Sequence, residues 1–453
     1  MKVMALAAVL IAMAGAALSQ VDIAFGPNPR SYDNLEVWDY SSKTSRQQWT
    51  ALNTAGVTEI HLNAAFLLRH DILQMTPPRW PARPAATYLT GPQFSQMKDL
   101  VRRGGFRFVY EAGYGLGGDR CRQIKQDPVT GGAAAALVEY NNVLRPMLDN
   151  QVPVHAIAVD GAFLRLIAGS KKAFSCDTHA GVRLKTSQTV AAVQAYLVKM
   201  VALLATHPVQ RGIDLQVDLT INLPNWKVGD LDRVFHPEVA NPDLLAVLAA
   251  FDRLRDSAGQ KPAIRRIKLD YPYCYVTGPC AAGGRPRQKL ETIFVSKVAE
   301  VWDHSRGLNG PGSKGPTLSV VTNTEQDADS CVVTDTKFPF FLVYRACRPA
   351  KSDPAKSDPA KSDPGTPDCA PGQAWEQPMP WCQIETIRSG DHAFYIKSFK
   401  FADRLKPSGD LRKRISAQSS LGQVTIDQLI FQAWHETPYT NAAYRRKVTD
   451  YAK

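Results

Sequence analysis

The chain lacks most of the short motifs that announce a common enzyme class. It has no G-x-S-x-G elbow and no G-x-x-x-x-G-K-[ST] loop, which argues against the usual serine esterases and P-loop phosphate binders. No two cysteines form C-x-x-C and the histidines show no H-x-x-x-H spacing, so no metal site is expected. No continuous Lys/Arg block with interleaved aromatics is present, which argues against nucleic acid as a partner. After the first residues no segment is apolar for long enough to span a bilayer, so no stable membrane insertion of the mature chain is expected.

What is there is a chain of 453 residues, 44% apolar and 21% charged, which can bury a large core and is not disordered or fibrous. Lys plus Arg number 54 against 42 Asp plus Glu, and the net charge of +12 favours acidic partners or surfaces. Lys2, an apolar run from Val3 to about Leu18 and Ala17-Leu18-Ser19 before Gln20 read as a secretory signal over residues 1–19. An uncleaved anchor is the alternative. The expected location is secreted or periplasmic, where disulfides persist. The eight cysteines suggest, by neighbourhood, the pairs Cys121/Cys176, Cys274/Cys280, Cys331/Cys347 and Cys369/Cys382, although spacing does not fix the connectivity.

Short β-rich runs then alternate with stretches of helical period. The strand candidates are Leu35–Trp38, Glu59–Phe66, Phe106–Glu111, Val154–Asp160, Ile213–Leu223, Ile264–Tyr271, Leu318–Thr324 and Gln428–Trp434. Helices are expected over Gln47–Ala55, Gln93–Arg103, Gly132–Asn150, Ser187–Thr206, Pro242–Ser257, Arg287–His304 and His392–Leu405, with a short one after Pro438. The pattern predicts an α/β fold, a (β/α)8 TIM barrel with long, disulfide-stapled βα loops; a doubly wound open sheet competes with it. Ile213–Leu223 alternates apolar and polar residues, so its polar side either faces the barrel interior or lies at a partly opened edge. Lys351-Ser352-Asp353-Pro354-Ala355 and its repeats mark a solvated spacer. The domain reading is a signal over 1–19, a barrel over 20–325 and 391–453, and an insertion over 326–390.

In such a barrel, chemistry sits at the carboxyl ends of the strands. Five acids fall there, Glu111, Asp160, Asp270, Glu325 and Glu436, and their convergence suits a reaction that needs one carboxyl as proton donor and another as nucleophile or base. Trp38, Tyr271, Tyr273 and Trp434 offer faces for sugar rings, and Asn63 and Asn222 offer amides to fix hydroxyl groups; core packing and helix capping are the plainer roles for each. Gly113-x-Gly115-x-x-Gly118 follows a strand, but no helix opens at once, so a flexible loop beside the site is expected rather than a dinucleotide site, and no cofactor.

This arrangement resembles the (β/α)8 glycoside hydrolases as a broad group, over nearly the whole mature chain. In the large retaining clan of that group an acid/base Glu follows Asn at the end of strand four and a nucleophile Glu ends strand seven. Glu325, in Val320-Val321-Thr322-Asn323-Thr324-Glu325, matches the latter position, whereas strand four offers Ala158-Val159-Asp160-Gly161 in place of Asn-Glu. Asp160, with Asp270 in Lys268-Leu269-Asp270-Tyr271, matches instead the strand-four and strand-six aspartates of α-glycosidase-like barrels. The resemblance implies hydrolysis of glycosidic bonds in a polysaccharide or oligosaccharide, an anionic one among the options. Asp160, Glu325 and Asp270 are its candidate catalytic residues, and Trp38, Asn63, Glu111, Asn222, Tyr271, Tyr273, Trp434 and Glu436 its candidate substrate contacts. A non-catalytic carbohydrate-binding or envelope-associated barrel is the rival.

Overall fold

The computed structural model describes residues 21–27, 37–63, 91–170, 175–233, 243–253, 263–277, 285–310, 314–323, 347–349, 373–375, 393–432 and 441–453. Eight parallel strands close into a barrel: β1 (Asp22–Gly26), β2 (Glu59–Asn63), β3 (Arg107–Ala112), β4 (Ala156–Asp160), β5 (Gln216–Asn222), β6 (Ile264–Asp270), β7 (Thr317–Asn323) and β8 (Ile426–Gln432). They neighbour one another in chain order, and β8 pairs with β1 from Asp22 opposite Gln428 to Gly26 opposite Gln432. The open-sheet alternative is thereby excluded.

One strand sits elsewhere than the sequence suggested. The first strand is Asp22–Gly26; of the expected Leu35–Trp38, Val37 and Trp38 lie in a turn and Leu35 and Glu36 fall outside the described residues. The observed strand follows closely on the apolar run Val3–Leu18 and ends in Gly26-Pro27, so in sequence it reads as the tail of that run. Gly26 has a packing reason: a Cβ there would lie 2.7 Å from the Gln432 side chain of the adjoining strand.

A helix follows each strand: α1 (Lys43–Thr54), α2 (Gly91–Arg102), α3 (Pro128–Glu139), α4 (Thr186–Thr206), α5 (Leu244–Arg253), α6 (Arg287–Ser305), α7 (Ala393–Asp403) and α8 (Asn441–Ala452). Their starts are written locally. Ser42 caps α1 by accepting from the Ser45 N–H, and Asp127 caps α3 by accepting from Val129 and Thr130, with Pro128 in the first turn. α6 buries Leu290, Phe294, Val298 and Val301 as its period predicts. Contrary to the expectation that no segment is apolar for long enough, one helix among the described residues, α4, is long and apolar enough to cross a membrane; it lies in the helical coat with Val190, Val193, Leu197 and Met200 buried. Trp49 anchors α1 edge-on between Phe25 and Phe106 at 6.2 and 5.4 Å, pairs worth about 0.5–1.5 kcal/mol each. A helix over Asp410–Gln418, which the sequence reading did not include, precedes β8. Within the expected insertion the described residues form only a short antiparallel ladder, Cys347–Pro349 with Gln373–Trp375.

The barrel interior is charged where such interiors are usually packed with branched apolar residues. The alternation along β5 points Asp218 and Thr220 inward, the first of the two readings left open by the sequence. Near the amino ends of the strands Arg265 holds Asp218 through two hydrogen bonds, 2.9 and 2.7 Å, and Glu59 through one of 2.8 Å. Arg266 holds the other Glu59 oxygen at 3.0 Å and also binds Asp427. Register shifts at Arg265 and Asp427 explain how consecutive residues reach one network, because a bulge re-aims the extra side chain. Burial alone would push the Glu59 carboxyl up, but Arg266 and Arg265 hold it well below the usual carboxylate range.

Candidate active site

Higher in the barrel lies a second buried set. Lys268 of β6 reaches across the interior to Glu111 of β3 and donates to His61 Nδ1 of β2 at 3.1 Å. Gln432 of β8 donates to both Glu111 oxygens at 3.0 Å. Lys268, His61, Glu111 and Gln432 are all buried. Burial pushes the Glu111 carboxyl up, with Lys268 pulling against that and Asp160 adding to it. Burial, helped by the Lys268 charge, holds the His61 imidazole well below its ordinary range, so it is neutral, and its acceptor role at Nδ1 leaves the hydrogen on Nε2. Glu111 is therefore a counter-ion in the floor of the site, where the sequence offered it as a substrate contact.

Asp160 and Asp270 close two strands above this floor. Asp160 is the last residue of β4 and keeps its side chain 16% exposed. Arg165 faces it, with Nη2 3.7 Å from Oδ2, longer than a hydrogen bond. Asp270 ends β6 opposite Asn222 of β5. Asn222 donates to Asp270 Oδ2 at 2.7 Å and accepts from the Asn225 amide at 2.6 Å, a chain that fixes which oxygen Asp270 turns to the interior. Lys297 of α6 supports that corner from behind, donating to the Trp226 carbonyl at 2.6 Å, and burial brings its ammonium down to about 7. One strand separates β4 from β6, and Asp160 lies opposite Thr220 while Asp270 lies opposite Asn222, two residues further along β5; at strand spacings near 4.8 Å and a rise of about 3.3 Å per residue their backbones stand about 12 Å apart.

The loop after β3 is tied down. Glu139, buried at the end of α3, accepts from Gly113 N–H at 3.1 Å, Gly115 N–H at 2.6 Å and the Tyr110 hydroxyl at 2.7 Å. A Cβ on Gly115 would lie 2.3 Å from the Ala135 carbonyl oxygen, and Gly113 has φ 108°. The glycines of this loop thus serve close packing against α3 and a left-handed turn. A π-helical turn, Tyr140–Leu144, follows Glu139 directly. The Cys121–Cys176 disulfide joins this loop to the one after β4, as neighbourhood suggested. The other three suggested pairs involve residues outside the described ones.

The aromatic candidates fare differently. Trp38 is buried and packs edge-on against Phe108, which faces outward from β3. Tyr271, next to the inward Asp270, points outward and packs at 4.8 Å against Phe294 of α6. Tyr273 is buried as well. These three belong to the layer between sheet and helices or its edge and offer no open ring face. Asn63 ends β2 at the level of Glu111. Glu325, Trp434 and Glu436 lie outside the described residues.

The sequence reading missed Arg165, Lys268, His61, Gln432 and Glu139. One of them, Lys268, carried a signal: Arg266, Lys268 and Asp270 alternate along β6 as Asp218, Thr220 and Asn222 do along β5. His61 and Gln432 gave none, since their role depends on strands that meet only when the barrel closes.

No protein-family model matches the chain, and no curated protein matches it in sequence. Among solved structures it is similar to an exo-beta-1,4-mannosidase from Opitutaceae bacterium strain TAV5, at 12% identity and a TM-score of 0.35, over 67% of this chain and 46% of that one. It is also similar to a GH5_18 structure from Streptomyces cattleya in complex with GlcNAc, at 12% identity and a TM-score of 0.40, over 96% of this chain and 80% of that one. A family 1 beta-glucosidase from Thermotoga maritima gives 11% identity and a TM-score of 0.33, over 68% of this chain and 77% of that one. The chain spans less than half the length of the mannosidase. The resemblance is to (β/α)8 glycoside hydrolases as a broad group and to no one family. Likenesses of this size decide nothing about activity, and the fold rests on its own strand pairing.

Proposed function

We propose that the protein is an exported glycoside hydrolase that cleaves a polysaccharide or oligosaccharide with two carboxyl groups, Asp160 and Asp270. The observation that carries this reading is their placement: both end interior-facing strands at the carboxyl side of a closed barrel, one partly open to solvent and one oriented by Asn222. In the proposed reaction Asp160 either attacks the anomeric carbon or draws a proton from an attacking water. The glycosidic C–O bond breaks and the leaving oxygen takes a proton from Asp270; where Asp160 has attacked, water then adds at the anomeric carbon, breaking the bond to Asp160 and giving its proton back to Asp270. Glu325, two residues past β7, is the competing partner for Asp160. The reading includes a signal over residues 1–19, a barrel over 20–325 and 391–453, and an insertion over 326–390. Its basic balance suits an anionic glycan.

Asp160→Asn keeps the shape of the side chain and removes its charge. The expected outcome is turnover lowered by roughly 10³-fold or more with glycan affinity retained, since such a carboxylate acts in the chemical step. Asp270→Asn should do the same, and a variant of Glu325 that alone abolishes turnover would move the second role there. A wild-type protein that binds a glycan yet releases no product from it would support the non-catalytic reading.

A further inference from the structure

We propose that Arg165 is the positioning residue of Asp160, and that the loops after β3 and β4 form one clamp that aims this carboxylate. The proposal rests on the two-carboxyl reading above and adds a residue to it. Arg165 lies on the short helix Ala162–Leu166, which starts after Gly161 at φ 55°, so one helical turn brings it back over Asp160. Its guanidinium is shared three ways. Nη1 donates to the Gly113 carbonyl at 2.7 Å, Cζ lies 5.0 Å from the centre of the Tyr114 ring, and Nη2 stands 3.7 Å from Asp160 Oδ2.

Gly113 is itself a fixed point, because its N–H donates to Glu139 at 3.1 Å and to the Tyr196 hydroxyl at 2.9 Å. The backbone of Gly113 also lies directly against that of Asp160, since a Cβ on Gly113 would meet the Asp160 carbonyl oxygen at 3.2 Å. Cys121–Cys176 adds a covalent tie between the same two loops. Three ties of different kinds thus cross from one loop to the other: a hydrogen bond and a cation–π contact from Arg165, which faces Asp160, and a disulfide. Only a planar fork can hold a carbonyl, lie on a ring and face a carboxylate at once, so lysine is not an equivalent residue here.

The test uses the full chain with Arg165→Met, Arg165→Lys and, as a control, Arg183→Met, whose exposed side chain pairs only with Asp177 among the described residues. On a glycan that the wild type cleaves, Arg165→Met should lower kcat by roughly 10²-fold while KM stays within about threefold, the pattern of a misaimed reacting group. Arg165→Lys should recover little of the loss, added guanidinium should recover part of it in Arg165→Gly, and Arg183→Met should match the wild type. Near-wild-type kcat in Arg165→Met, or full recovery by lysine, overturns the proposal. A crystal structure of Arg165→Met reads the same claim without substrate: the Asp160 carboxylate should leave its wild-type orientation, and an unmoved carboxylate overturns the proposal. Failure of the wild type on every glycan would instead overturn the hydrolase reading, and the crystal structure would still decide this one.

Discussion

Replacing Lys268 by Met removes the ammonium that faces Glu111 and leaves the rest of the interior in place. Both side chains are buried, so the remaining carboxylate must either stay ionised without its partner or take up a proton. Breaking such a pair from one side costs about 3–5 kcal/mol. The pH dependence follows from the direction of the Glu111 shift, which burial already makes upward and which loses its main opposing charge in the variant. An acid whose folded-state pKa is raised binds its proton more tightly folded than unfolded, so stability falls as pH rises from the ordinary carboxyl value towards the folded one. Each pH unit in that window is worth about 1.4 kcal/mol, and the three units from pH 5 to 8 give a ceiling of about 4 kcal/mol. Urea unfolding at pH 5 and pH 8 measures this directly. Lys268→Met should be close to the wild type at pH 5 and several kcal/mol less stable at pH 8, and the double variant with Glu111→Gln should lose that pH dependence. A destabilisation that is equal at both pH values, or under about 1 kcal/mol throughout, would refute the buried-pair description, because a hydrated pair behaves that way.

Three further outcomes are expected. Glu139→Gln keeps one acceptor and loses the charge that three donors share, so it should cost about 2 kcal/mol in chemical unfolding, at roughly 1.5–3 kcal/mol for each bond to a charged group. Cys121→Ser with Cys176→Ser opens a link across 55 residues and should cost about 2–4 kcal/mol, read as a lower unfolding temperature in the absence of reductant. Glu291 binds Arg404, Arg287 and Arg414, which hold its carboxyl down at about 2. Its contribution is therefore present above pH 4.5 and lost as pH falls towards 2; Glu291→Gln should cost about 1 kcal/mol at neutral pH and low salt, and less in 1 M NaCl.

Much of the barrel was legible because its strands and helices follow two clear periods. The stripe Leu290, Phe294, Val298 and Val301 and the alternation over Gln216–Asn222 each point to one face, and each face is where the period puts it. The first strand was not legible, since Asp22-Ile23-Ala24-Phe25-Gly26 follows closely on the apolar run Val3–Leu18, whereas Leu35-Glu36-Val37-Trp38 has the apolar content of a strand but forms a turn at its end. Strand ends gave Asp160 and Asp270 their places, because position in a barrel strand sets which way a side chain points. The aromatics misled for the same reason. Tyr271 adjoins an inward residue and so must face outward, and Trp38 was assigned to a strand end that does not exist. The Lys268, Glu111, His61 and Gln432 set joins four strands far apart in sequence, which no local pattern reports. Arg165 was hidden differently, on a helix of one turn inside a loop.

The most direct test of the central claim is product release from a panel of neutral and acidic polysaccharides, measured side by side for the wild type and Asp160→Asn. If Asp160 and its partner carboxyl cleave glycosidic bonds, the wild type releases new reducing ends from at least one glycan and Asp160→Asn does not. Equal release by both proteins, or none by the wild type from any glycan, would contradict it.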